Sequence, residues 1–143
     1  MSTIWRRIGA TLAVMALLPA LAACSAAGGA PSAPGAEDLS GTSWTLVDLG
    51  GTAPAEGTSA TLAFDAADAV SGKTGCNSFN GQAAIDGSAI DFGPLATTRM
   101  ACPEPQMSLE TAYLGALDAA TSWKIEDGKL ILEGGTTATF DPA

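Results

Sequence analysis

Alternation of apolar and polar residues is the feature that most constrains the fold of this 143-residue chain. Trp44 and Leu46 alternate with more polar neighbours, and the same two-residue period recurs at Leu62 and Phe64 and in the segment AIDF, residues 89–92. Because successive side chains of a strand point to opposite faces of a sheet, each segment predicts a half-buried β-strand. Glycine-rich turns separate these segments, which favours antiparallel neighbours.

The C-terminal part of the chain carries a hairpin signal. Trp123 and Ile125 precede the pair Asp127-Gly128, and two leucines at alternate positions follow it, in the segment SWKIEDGKLILEG. An Asp-Gly pair suits the two positive-φ positions of a tight hairpin turn. We therefore predict two strands joined at this turn, with a closing strand around Phe140.

One segment departs from the two-residue period and predicts a helix. In MSLETAYLGALDAATS the apolar residues recur at helical spacing, namely Leu109, Ala112, Tyr113, Ala116, Leu117 and Ala120. Pro103 and Pro105 stand just upstream, where a helix can begin. We expect a helix from about Pro105 to Ala120 that packs its apolar stripe on the sheet.

The order of these elements defines the predicted fold class. About five strands come first, then the helix, then three further strands. This order predicts an α+β domain, a small and mostly antiparallel β-sheet of about eight strands that is curled toward a barrel, with one packed α-helix. Trp44 and Trp123 occupy strand positions at which aromatic residues usually belong to the core, although they would also suit the lining of a ligand cavity.

The first 23 residues predict a lipoprotein signal peptide. Arg6 and Arg7 precede an uncharged apolar run, which Pro19 interrupts and which is short for a membrane-spanning helix. The run ends in LAAC, residues 21–24, and this ending resembles the lipobox of bacterial lipoproteins. The resemblance implies that the Cys24 thiol is lipidated and that cleavage makes Cys24 the first residue of the mature protein.

The segment that follows the signal peptide predicts a tether. Residues 24–38 are mostly alanine, glycine, proline and serine, and they carry no large apolar side chain that would order them. Residues 39–143 suffice for one domain with a single core. Ser25 resembles the residue that permits sorting to the outer membrane, so in a two-membrane cell we expect an anchor in that membrane, facing the periplasm.

The charge of the mature chain limits its partners. Cleavage after residue 23 removes two arginines, which leaves four basic residues against fifteen acidic ones and a net charge of −11. Such a chain repels nucleic-acid phosphates and anionic lipid headgroups, so we expect no nucleic-acid binding. We expect membrane attachment to come from the lipid alone. The protein or small-molecule partner is not identified by the sequence.

Two cysteines remain once Cys24 is assigned to a lipid. An oxidising envelope compartment favours a disulfide between Cys76 and Cys102. Two free thiols, or a redox or metal role, are the alternatives. The 25 residues between them are too many for a CxxC redox motif. Two thiols in a chain without histidine supply too few of the ligands that a tetrahedral zinc site usually uses.

Four blocks carry a resemblance to a known family. In order they are LSGTSWTLVDLGG, LAFDAADAVSGKTGCNSFNGQ, LATTRMACP and ETAYLGALDAATSWKIEDGKLILEG. Together they resemble the META domain, also called the HslJ-like heat-shock family, from Leu39 to about Phe140. The resemblance implies a small α+β domain on bacterial envelope lipoproteins and exported proteins. Members have been linked to heat shock, novobiocin resistance and, in a parasite relative, virulence, and no catalytic residue set is established for them.

The GCNSFNG and TTRMAC blocks contain the candidate ligand surface. The structural interpretation is a bulged strand and turn held by a disulfide, with glycines at positive φ or at close backbone approaches. The functional interpretation is one polar surface near the cysteines that contacts a ligand, formed by Asn77, Asn80, Thr97, Thr98 and Arg99. We expect Arg99 to pair with a neighbouring carboxylate, with an anionic ligand as its alternative partner, and Met100 to pack beneath the loop.

The residue inventory argues against an enzyme. The chain has no histidine to act as a general base, and no nucleophile arrangement is recognisable. Acidic residues in turns lack the ligand spacing of an EF-hand, so we expect no metal site. We also expect no cofactor and no catalytic residue.

The sequence therefore predicts a non-enzymatic, lipid-anchored protein of the bacterial cell envelope that contributes to stress tolerance or envelope maintenance by binding or scaffolding. The alternative is a secreted acidic inhibitor of a basic protein, or a small-ligand carrier. A hydrolase would need a solvent-open carboxylate or serine cluster.

Overall fold

The computed structural model describes residues 38–66 and 68–143. The predicted signal peptide, Cys24 and all of the predicted tether except Asp38 lie outside the described residues. Within them the order of elements is β1 (Thr42–Leu49), β2 (Ala60–Phe64), β3 (Ala69–Thr74), β4 (Ser78–Asp86), β5 (Ala89–Phe92), β6 (Ala96–Thr97), α1 (Gln106–Asp118), β7 (Ser122–Glu126), β8 (Lys129–Glu133) and β9 (Ala138–Pro142).

Eight of the nine strands in the described part of the chain form a closed ring. The strand order is β3-β2-β1-β9-β8-β7-β5-β4, and β4 pairs in turn with β3. Every pairing is antiparallel. Closure removes the free edges that an open sheet would expose. The predicted fold class is confirmed, and the sheet goes beyond curling to complete closure.

The ring has one narrow seam, between β5 and β7. A single residue pair, Ala89 with Ser122, joins these strands. Two backbone hydrogen bonds flank the pair, from Ile90 N to Thr121 O at 3.1 Å and from Trp123 N to Ser88 O at 2.8 Å. The remaining strand, β6, has only two residues and pairs with the first half of β4, beside β5.

Helix α1 packs on the barrel through Tyr113, which is completely buried. The ring of Tyr113 lies 6.1 Å from those of Phe79 in β4 and Phe140 in β9, and its hydroxyl donates to the Thr61 carbonyl at 3.1 Å. Burial raises the pKa of Tyr113 well above its usual range. The helix thus joins the same core as strands from opposite parts of the ring.

The core contains the apolar positions that the alternation predicts. Its largest fully buried side chains, besides threonine, are Tyr113, Phe140, Leu62, Leu117, Leu130, Leu132 and Val70. Trp44 and Trp123 are 7 % and 5 % exposed, so their expected core positions are confirmed. The predicted hairpin is also confirmed, since β7 and β8 are joined by Asp127 and Gly128 with φ of 53° and 76°.

Candidate functional site

The turn between β3 and β4 places the GCNSFNG block beside helix α1. Thr74 N donates to Asn77 O at 2.8 Å, and Asn77 N donates to the Thr74 hydroxyl oxygen at 2.9 Å. Gly75 adopts φ +102° between them, and a Cβ there would lie 3.0 Å from the Leu109 side chain. A glycine is therefore required at position 75 both for backbone conformation and for close approach of the helix.

The side chain of Asn77 connects this turn to the segment before the helix. Its Oδ1 accepts from Met100 N at 2.7 Å and from the Thr98 hydroxyl at 2.9 Å. Its Nδ2 donates to Met100 O at 3.1 Å and to Glu110 Oε2 at 2.9 Å. These four bonds use the full capacity of a side-chain amide. Asn77 is 2 % exposed, so its role is structural.

Glu110, on α1, completes the network from the helix side. Its Oε2 accepts from the Thr74 hydroxyl at 2.5 Å and from Asn77 N at 3.2 Å, in addition to the Asn77 amide. The bond from Thr74, with further bonds from Asn77, lowers the pKa of Glu110 below its ordinary value of 4.5, although partial desolvation opposes the shift. The carboxylate is therefore ionised at neutral pH and is held by neutral donors.

A disulfide covalently reinforces the same junction. Cys76 and Cys102 are bonded, with Cα atoms 5.9 Å apart. The alternatives of two free thiols or a metal role for this pair do not apply to this structure. The bond links the β3–β4 turn to the segment that leads into α1, next to the hydrogen bonds of Asn77.

The candidate ligand surface is divided between two neighbouring depressions. Thr97, Thr98 and Arg99 line one of 280 Å³, together with the buried Asn77, two methionines, Ala101 and Glu110. Asn80 lines the other, of 240 Å³, with Thr97 and Thr98. The structure therefore brings all five residues to one region, but Asn77 has no free polar atom to offer a ligand.

One expectation about this region is wrong, and a second is not met among the described residues. Met100 does not pack beneath the loop, since it is 59 % exposed, because its backbone is held by Asn77 while its side chain faces solvent. Arg99 is exposed, and among the described residues it forms no ion pair with a carboxylate. The ion pairs that form in this part of the chain join Lys124 to Glu126 and Glu133, and Lys129 to Asp141.

Sequence reasoning missed Glu110 and Thr74. Glu110 follows Leu109 of the apolar stripe and precedes Tyr113 by three residues, so it stands at the border of the buried helix face. That position is the only sequence signal that it turns inward. Thr74 carries no signal of its own, because its partner lies 36 residues away in the chain.

Within residues 38–66 and 68–143, no group of three or more His, Cys, Asp or Glu residues is placed to hold a metal ion. In the same part of the chain, no helix has the length and apolar character needed to cross a membrane.

Comparison with known proteins gives one family and several similar folds. The family model described as META domain matches residues 37–143. An NMR structure of a protein from Burkholderia xenovorans is 34% identical over 73% of this chain and 83% of its own, with a TM-score of 0.59. No curated protein matches this chain.

Two further solved structures show likeness of fold. One, described only as an NMR structure of a protein, is 23% identical, with a TM-score of 0.61, over 72% of this chain and 90% of its own. The other is the crystal structure of a DUF4847 family protein from Bacteroides vulgatus, 14% identical over 72% of this chain and 93% of its own, with a TM-score of 0.51.

Proposed function

This chain belongs to the META domain family, and on that premise we propose that it is a non-enzymatic, lipid-anchored protein of the bacterial cell envelope. Its domain acts by binding or scaffolding, and it contributes to stress tolerance or envelope maintenance. The stress role is supported by the family resemblance alone.

The observation that carries the proposal is the LAAC ending of the N-terminal apolar run, residues 21–24. Lipidation of Cys24 would supply the membrane affinity that the acidic mature chain lacks, because this chain has no polybasic segment to attract anionic headgroups. Residues 25–37, rich in alanine, glycine and proline, give the domain reach from the membrane surface. The Cys76–Cys102 disulfide suits the same oxidising compartment.

A binding rather than a catalytic role is supported by the chemistry of the conspicuous polar cluster. The side-chain polar atoms of Asn77 and Glu110 form hydrogen bonds that hold the β3–β4 turn to α1 and to residue 100. A general base or nucleophile needs an atom that reaches the substrate. The exposed side chain of Arg99 suits contact with a partner better than acid–base chemistry.

Processing of the full chain in a bacterium tests this proposal. The wild-type protein should begin at a lipid-modified Cys24 by intact mass and should partition into detergent. Cys24→Ala should abolish the modification and release or trap the protein, whereas Ser25→Ala, which retains the thiol, should still be lipidated. A Cys24→Ala protein that is still processed and membrane-bound would refute the lipid anchor.

A second candidate is a secreted inhibitor of a basic protein, which the net charge of −11 after cleavage favours. An inhibitor should form a salt-sensitive complex with its target. A small-ligand carrier is less well supported, because aromatic and leucine side chains fill the barrel interior. Native mass spectrometry of the exported protein would reveal a retained small molecule.

A further inference from the structure

Residues 96–100 form an edge whose outer side pairs with no strand among residues 38–66 and 68–143. Thr98 N donates to Ser78 O at 3.0 Å, so residue 98 faces β4. The Asn77 side chain continues this ladder, because its amide exchanges two hydrogen bonds with the backbone of Met100 just as a paired strand residue would. Since backbone groups alternate in direction along a strand, the N–H and C=O groups of residues 97 and 99 point away from β4.

Helix α1 forms a wall along this edge. Met107, Glu110, Leu114 and Asp118 follow one another at helical spacing on one face. The depression of 280 Å³ lies between residues 97–101 and the helix residues Met107 and Glu110. A further depression, of 210 Å³, is lined by Gly93, Leu95 and Thr97 on one side and by Leu114 and Asp118 of the helix on the other. Thr97 lines both, so the two depressions are neighbours along the helix, and together they are here called the edge groove.

The charges of the edge groove select the kind of occupant. Asp118 places an exposed carboxylate on the helix wall, and Glu110, on the other side of Leu114, adds a negative charge although its oxygens are hydrogen-bonded to Thr74 and Asn77. Neither carboxylate belongs to an ion pair within the described residues. Arg99 stands at the opposite end of the groove from Asp118. The mature chain as a whole carries a net charge of −11, which disfavours a second copy of itself as the occupant.

We propose that the edge groove binds an extended, basic segment of a partner protein by β-strand addition to residues 97–99. The outward backbone groups of Thr97 and Arg99 pair with the segment, Leu114 contacts an apolar side chain, and Asp118 contacts a lysine or arginine. Main-chain pairing supplies affinity, and the helix wall supplies the preference for positive charge. The inference deepens the binding role proposed above and rests on it.

A set of short peptides tests the groove directly. The probe is a capped, fluorescent heptapeptide of alternating lysine and valine, added to the purified full-length protein in neutral detergent at low salt. Fluorescence anisotropy should detect binding that weakens with salt, and hydrogen exchange should slow in residues 96–100. The same peptide with glutamate in place of lysine, or with alternate backbone nitrogens methylated, should bind about tenfold more weakly or not at all.

Two pairs of variants separate strand addition from general attraction. Thr97→Pro removes an outward N–H that β4 does not use, which an edge position tolerates, while Thr97→Val retains it. Only the proline variant should lose about tenfold in affinity. Asp118→Lys and Glu56→Lys change the net charge equally, but Glu56 is an exposed residue of the β1–β2 loop, so Asp118→Lys should weaken binding more.

Several outcomes would overturn the inference. They are absence of peptide binding, equal affinities for Thr97→Pro and Thr97→Val, or equal losses for the two lysine variants. Sedimentation showing a dimer that Thr97→Pro dissociates would assign the edge to a second copy instead. Should Thr97→Pro fail to fold, the methylated peptide tests the same hydrogen bonds. Binding does not require Cys24 to be lipidated, so failure of the anchor and failure of the groove are distinguishable.

Discussion

Asn77 and Asn80 are two asparagines of one short block in opposite environments. Asn77 is 2 % exposed and makes four side-chain hydrogen bonds, whereas Asn80 is exposed at the rim of a depression. In sequence both suit turns equally well. Their difference arises because residue 77 stands where the β4 ladder ends, and there its amide replaces a missing peptide group opposite Met100.

Replacement of these two asparagines should have unequal effects. Asn77→Ala removes four side-chain bonds, leaves the Met100 backbone groups without partners and takes the amide donor from Glu110, so it should lower the free energy of unfolding by about 2 to 4 kcal/mol. Asn80→Ala should change it by less than about 0.5 kcal/mol, as is usual for an exposed residue. Urea unfolding of the purified proteins measures both. Equal effects would show that the network contributes little to stability.

Glu110 should give the fold a specific dependence on pH. Its pKa is lower in the folded protein than the ordinary value of 4.5, so its contribution to stability is present above pH 4.5 and is lost as pH falls through the folded pKa. Glu110→Gln should therefore be less stable than the wild type at pH 7, and the difference should shrink below pH 4.5. Glu56→Gln, in an exposed loop, is the control, measured by urea unfolding over the same pH range. A difference that stays constant down to low pH would contradict the role of the ionised carboxylate.

At the scale of elements, helix α1 serves two surfaces at once. Tyr113, Ala116 and Leu117 are buried against the barrel, while Met107, Leu114 and Asp118 line the edge groove on a neighbouring face. Glu110 also lines the groove, and its carboxylate is hydrogen-bonded to Thr74 and Asn77 of the barrel. The position of the groove wall is therefore fixed by core packing rather than by the groove residues themselves.

Two glycines in different elements should respond oppositely to alanine. Gly128 adopts φ +76° in the β7–β8 turn, so Gly128→Ala should cost about 1 to 2 kcal/mol of stability. Gly115 is exposed in α1, and nothing lies within 4 Å of a Cβ placed there. Gly115→Ala should therefore raise stability by up to about 1 kcal/mol through helix propensity. Thermal unfolding measures both, and shifts of the same sign would contradict this assignment of backbone roles.

At the scale of the whole molecule, the strand pairings that close the barrel leave most of residues 93–105 to be held by side-chain contacts and by the disulfide. The β5–β7 seam has a single residue pair, and β6 adds only two residues beside it. Besides the pairing of β6 with β4, the chain from residue 93 to residue 105 is held by Asn77, by Leu95 packed against the core, and by the disulfide. Closure of the barrel and the contacts that hold residues 93–105 together fix the position of the edge groove.

Loss of the disulfide should weaken the whole domain. The bond joins residues 26 apart in sequence, and removing a crosslink of this span should cost about 3 kcal/mol through the entropy of the unfolded chain. Cys76→Ser combined with Cys102→Ser should melt at a lower temperature while retaining the β-rich circular dichroism spectrum. Reductant should lower the wild-type melting temperature to a similar value and leave the double variant unchanged. Insensitivity of the wild type to complete reduction would contradict a stabilising role.

Much of the fold could be predicted from local patterns. Alternation located the strands around Trp44, Leu62 and Phe92, and the Asp127-Gly128 pair located the hairpin, because both signals depend on neighbouring residues only. The predicted helix, about Pro105 to Ala120, is observed as Gln106–Asp118. The two-residue β6 was not predicted, because two residues are too few to show an alternating pattern and the strand is defined by its pairing with β4.

The sequence by itself determined the strand and helix periods, the acidic charge and the presence of two cysteines that can pair. Only the tertiary structure decided that the sheet closes through β3 and β4, that Asn77 is buried while Met100 is exposed, and that Glu110 meets Thr74. The physical reason is range: periodicity and turn chemistry act over a few residues. Burial of a polar group depends instead on which distant partners the closed barrel brings within hydrogen-bonding distance.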